Sequence, residues 1–73
     1  MNNKLLDALR ARNEAKKLEA LATIDVYLNN AAGIGEHPQV VEEMDKQLEA
    51  LAAADDNLEA LERYYEKSKE ETD

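Results

Sequence analysis

Gly33-Ile34-Gly35-Glu36-His37-Pro38 is the stretch that decides how this chain folds. Both glycines and the only proline of the 73 residues fall within it. Gly and Pro are the strongest interrupters of regular structure, and neither flanking stretch contains one. The pattern reads as helix, tight connection, helix. Gly33 suits the first position past a helix end, where a left-handed backbone costs it nothing. Ile34 can then pack back on Leu28. Pro38 suits a first helical turn, where its missing N–H is not needed. Glu42 and Glu43 follow at the end of the helix that favours acids, and Asn2 or Asn3 can cap the first helix. The expected organisation is one domain over residues 1–73. Helix 1 covers about 3–32, the turn 33–37, helix 2 about 38–68, and a frayed tail 69–73. Each helix is roughly 45 Å long. A short connection between long helices makes them antiparallel neighbours. The fold class is all-α, an antiparallel two-helix hairpin.

Size and composition narrow what such a hairpin can be. A chain this short buries little of its surface and needs staples or partners. Cysteine is absent and there is a single histidine, so neither a disulfide nor an ordinary structural zinc site is expected. No apolar stretch approaches the length of a membrane span, and the N-terminus lacks the apolar core of a signal peptide. The expectation is a cytoplasmic protein. The net charge of −8 is unevenly spread. Residues 1–35 carry five bases and four acids; residues 36–73 carry four bases and thirteen acids. That balance disfavours nucleic acid and anionic membranes and permits a basic protein partner. Arg10, Arg12, Lys16 and Lys17 come level with Asp55, Asp56 and Glu59 if the chain folds back near residue 35.

Each helix shows two stripes. On helix 2 a heptad seam runs through Val40, Met44, Gln47, Leu51, Ala54, Leu58, Leu61 and Tyr65, with Gln47 as its polar break. Helix 1 concentrates its large residues at Leu21, Ile24 and Leu28, and Asn13 and Lys17 interrupt that face toward the N-terminus. The second stripes are small: Ala8, Ala11, Ala15, Leu18 and Ala22 on helix 1, and Ala50, Ala53, Asn57, Ala60 and Tyr64 on helix 2. Small side chains let helix axes approach to about 8 Å. A lone hairpin closes one interface, so one pair of stripes is left for a partner. The simplest completion is a homodimer forming a four-helix bundle, with Gln47 and Asn57 able to fix register inside it.

Nothing in the chain reads as catalytic. His37 beside Glu36 suits a turn residue before Pro38 and has no nucleophile to serve. Di-metal helical bundles need inward Glu-x-x-His pairs, and none exists, so no metal, cofactor or catalytic residue is assigned. The acids Glu42, Glu43, Asp45, Glu49, Asp56 and Glu59 read as a solvated face.

The segment Gly33-Ile34-Gly35-Glu36-His37-Pro38-Gln39-Val40-Val41-Glu42-Glu43-Met44-Asp45, continuing through Leu61-Glu62-Arg63-Tyr64-Tyr65, resembles small uncharacterised acidic helical proteins of marine, cyanophage-like tailed phages. The resemblance implies an accessory or assembly protein that works by binding inside a host cell, and it implies no known activity. The expectation is therefore a non-catalytic structural or interaction protein that forms a homo-oligomer, with a dimer favoured. The alternative is an acidic inhibitor or decoy that offers helix 2 to a basic surface.

Overall fold

The computed structural model describes residues 3–29 and 39–66. The expected turn residues Gly33, Gly35 and Pro38, together with His37 and the outer ends of both expected helices, lie outside them. Among the described residues the chain is all-helical and has no strand. Helix α1 spans Lys4–Asn29 and helix α2 spans Gln39–Leu61. A π-helical turn, Glu62–Glu66, continues α2.

The start of α1 follows from Asn3. Its side-chain oxygen accepts hydrogen bonds from the Leu5 and Leu6 N–H groups at 3.1 and 3.2 Å, and its carbonyl accepts from Asp7 N at 3.1 Å. The Leu5 and Leu6 groups are donors that a helix start leaves unpaired, and the Asp7 bond is the first of the helical ladder.

The two helices run antiparallel, the arrangement of a helical hairpin. Partners across the pair fall in α2 as they rise in α1. Arg10 meets Glu66, Asn13 meets Asn57, and Lys17 meets Asp55. The long, narrow form shows in a radius of gyration of 16.5 Å, where a compact chain of this length would have about 11 Å.

Side chains facing the partner helix repeat every three or four residues on both helices. On α2 they are Val40, Met44, Gln47, Leu51 and Leu58, all half-buried, with Ala54 and Leu61 buried. On α1 the inward line is Leu6, Arg10, Asn13, Lys17, Ala20, Ile24 and Tyr27. This corrects the expected seam. Ile24 lies in it, but Leu21 and Leu28 are 41% and 61% exposed, and Ala20 is 1% exposed in their place. The line lies one residue earlier than expected.

Electrostatics explains the choice. A rotation of α1 that turned Leu21 and Leu28 onto α2 would also turn Glu14 and Asp7, one and two heptads before Leu21, toward the acidic second half of α2. The observed line brings Arg10 and Lys17 there instead. Like charges directly across an interface destabilise it, and opposite charges do not. Ala20 and Ala54, 1% and 2% exposed, are the two closely packed small residues of the seam, and they allow the axes to come near.

The seam's last residue also departs from expectation. Tyr65 is exposed, as is Tyr64. A π turn advances each side chain by less than the roughly 100° of an α-helix. Across Glu62–Glu66 this lag carries Tyr65 out of the seam and brings Glu66 into it, half-buried, against Arg10.

Candidate interaction surface

In the half of the pair away from the turn, polar side chains join the seam beside Leu6, Leu58 and Leu61. Asn13 is 5% exposed. Its Nδ2 donates to the Leu9 carbonyl at 2.9 Å, and its Oδ1 accepts from Asn57 Nδ2 at 2.9 Å. No buried side-chain polar atom among the described residues lacks a partner. One helical turn to either side of Asn13 stand the ion pairs. Lys17 Nζ lies 3.1 Å from Asp55 Oδ1. Arg10 pairs with Glu66 and reaches Asp7 at 3.7 Å. The long Arg and Lys stems cover the seam while their charged ends stay wet. Lys17 thus meets the acidic stretch that the sequence brings level with it, whereas Arg10 turns to Glu66 and Asp7 instead.

The seam divides the rest of the surface into two flanks. On one, Leu9 and Lys16 of α1 stand beside Ala50, Asn57 and Tyr64 of α2. Arg12, Glu19, Lys46, Ala53 and Ala60 lie just outside them by helical spacing. Charge is mixed here, with Arg12, Lys16 and Lys46 against Glu19 and Glu43. The flank is hollowed by an open cleft of about 330 Å³, lined by Asn13, Lys16, Glu19, Ala20, Gln47, Ala50, Ala53, Ala54 and Asn57. Toward the far end it continues into a shallower hollow between Leu9, Ala60, Leu61 and Tyr65. The hollow exists because, between Gln47 and Asn57, α2 offers the methyl groups of Ala50, Ala53 and Ala54 where larger side chains would fill the space.

The opposite flank carries Asp7, Glu14, Leu21 and Leu28 of α1 beside Val41, Leu48, Asp55 and Glu62 of α2. Leu18, Asp25, Asp45 and Glu59 lie just outside. Its charges are almost entirely acidic. Leu18, Leu21, Leu28, Val41 and Leu48 are all exposed.

The two small-residue stripes therefore do not share a face. Ala50, Ala53, Ala60 and Tyr64 line the mixed flank. Ala8, Ala15 and Ala22 point away from α2, and Ala11 and Leu18 turn toward the acidic flank. The helices are closed by neither Ala stripe alone: the apolar seam of α2 packs on a mixed line of α1. Asn13 and Lys17 are expected on this face as interruptions; the departure is that Ala20 and Tyr27, and not Leu21 and Leu28, continue the line with Ile24. The unbroken 4-3 spacing of Leu6, Arg10, Asn13, Lys17, Ala20, Ile24 and Tyr27 could have revealed it.

Among the described residues no group of three or more His, Cys, Asp or Glu side chains could hold a metal ion. No described helix is long and apolar enough to cross a membrane. No protein-family model matches the chain, and no curated protein and no solved structure matches it.

Proposed function

We propose that this chain is a non-catalytic interaction protein that completes its core by association, as a homodimeric four-helix bundle. The observation that carries this is the poverty of the core. Three apolar residues, Ala20, Ala54 and Leu61, are buried, whereas ten large apolar side chains are exposed among the described residues. Burial of a large aliphatic side chain contributes about 1.5–3 kcal/mol, so most of the stabilisation available to these residues is unrealised in the single chain.

The mixed flank suits a second copy. A twofold interface sets a surface against itself, and a surface bearing both signs can pair Lys16 of one copy with Glu19 of the other, beside the Lys46–Glu43 pair that each chain makes within itself at 3.7 Å. The cleft of small residues lets helices approach there. A flank about 40 Å long and 16 Å wide offers roughly 600 Å² per copy, at the lower end of the range for specific dimers. The resemblance of residues 33–45 to small phage proteins fits an accessory or assembly role for such a bundle.

The test is solution mass by light scattering over a concentration series. The expected result is twice the 8.2 kDa chain mass, with a melting temperature that rises with concentration. A mass fixed at one chain through the high micromolar range, with a concentration-independent melt, would sink the reading.

A further inference from the structure

The acidic flank carries an apolar patch that the seam leaves uncovered, and its surroundings determine what can cover it. The antiparallel register sets Leu21 level with Leu48 and Leu28 level with Val41, each within about 3 Å along the axis. These two rungs form a groove between α1 and α2 on the turn side. All four side chains are exposed. Asp25 and Asp45 stand on its two outer edges, both exposed. Toward the far end the same groove continues between Glu14 and Asp55, then between Asp7 and Glu62. The bases near it are Lys17 and Arg10, already engaged by Asp55 and by Glu66 with Asp7; Arg63, paired with Glu59; and Lys4, beside Asp7 at the far end.

We infer that this groove receives an amphipathic helix of another protein, apolar on one face and flanked by lysine or arginine. An apolar strip edged by one sign of charge selects a helix whose own edges carry the other sign. The occupant's anchors fall at helical i, i+3, i+4 and i+7 spacing to fill the two rungs. Its basic residues meet Asp25 and Asp45 beside them, and Glu14 and Glu62 farther along. From Leu28 to Asp7 the groove is about 30 Å long, the length of roughly 20 helical residues.

A second copy of this chain is a poor occupant here. Any twofold arrangement that joins the two apolar patches also brings Asp25 and Asp45 of one copy near those of the other. The inference rests on the reading of the chain as an interaction protein, but not on its self-association, which uses the opposite flank.

The test is a fluorescence-anisotropy titration with three labelled synthetic helices of about 20 residues. The first has a leucine face and lysine edges. The second keeps the leucines and has glutamate edges. The third keeps the lysines and replaces each leucine by serine. The expected result is one-to-one binding of the first helix, at least tenfold tighter than either companion. The double substitution D25K/D45K should weaken it at least tenfold, and so should L21S/L48S. Both pairs are exposed, so circular dichroism of the variants should match the parent.

Equal binding of the first and third helices would reduce the attraction to bulk charge and overturn the inference. So would unchanged binding by D25K/D45K. Dissociation of a dimer by the first helix would assign the groove to a second copy and also overturn it. A monomer that binds the helix with the expected selectivity would sink the dimer alone. A dimer that ignores the helix would sink this inference alone.

Discussion

Asn13 shows what one polar residue does inside an otherwise ordinary helical seam. It satisfies both ends of its amide at once, giving a proton to its own helix at Leu9 and taking one from Asn57 across the pair. A shift of one heptad would break the cross-pair bond and leave a buried amide oxygen without a donor, which costs about 1–3 kcal/mol. Register is thereby fixed at a single rung, as polar residues at seam positions do in coiled coils. Asn13→Ala should lower stability by about 1–2 kcal/mol, read as a drop of several degrees in melting temperature by circular dichroism. Asn57→Ala should cost at least as much, because it leaves the buried Asn13 Oδ1 without its donor, whereas Asn13→Ala leaves only the exposed Asn57 amide, which water satisfies. The double variant should cost less than the two single changes together. Strict additivity would show that the two amides do not cooperate. The sequence marks Asn57 as a register residue for an outer interface; the structure engages it within the pair, through Asn13. Asn13 reads in sequence as an interruption, because a polar residue among leucines gives no sign of the partner it will find across the pair.

The two helices were unequally legible. Five of the seven large apolar residues of α2, all but Val41 and Leu48, lie in one 4-3 line, and that line is the one facing α1. The large apolar residues of α1 are spread around its circumference, at Leu5, Leu9, Leu18, Leu21 and Leu28, so hydrophobicity alone does not pick out its inner face. What picks it out is charge opposite the acidic end of α2, a property of the pair rather than of either helix. The one-residue offset has a direct test. Ile24→Asp places a charge in the seam and should destabilise the fold by about 2 kcal/mol or more. Leu28→Asp, one turn away and exposed, should stay within about 0.5 kcal/mol in the monomer. Thermal melts of the two variants in the reverse order would restore the Leu21 and Leu28 line. Leu51→Asp sits on the better-defined seam, level with Ala20, and should abolish cooperative melting. The π turn had no sequence signal, because it serves a long-range pair: Glu66 meets Arg10 only if the helix widens after Leu61.

Taken whole, the molecule is a thin rod with two unlike flanks. The division of the chain into two helices around Gly33–Pro38 could be read from composition alone, whereas the two flanks emerge only once the register is known. A single glutamate on the mixed flank separates fold from assembly. Ala53→Glu should leave helicity unchanged, since Ala53 is exposed, and should shift the mass from dimer toward monomer at micromolar concentration. Unaltered mass would move the self-contact elsewhere. The polar rungs have a further consequence, for how the rod comes apart. The end where α1 begins and α2 finishes is fastened, beside Leu58 and Leu61, by charges that are about one-quarter to one-half exposed, and dissolved ions weaken such fastenings. The end nearer residue 35 is fastened by Ile24, Tyr27, Met44 and Leu51, on which ions have little hold, and the chain itself tethers it. Rising ionic strength should therefore open the rod like a pair of tongs, from its free tips inward. Backbone amides of 10–17 and 54–61 should exchange with deuterated solvent faster in salt, while those of 20–27 and 44–51 keep their pace.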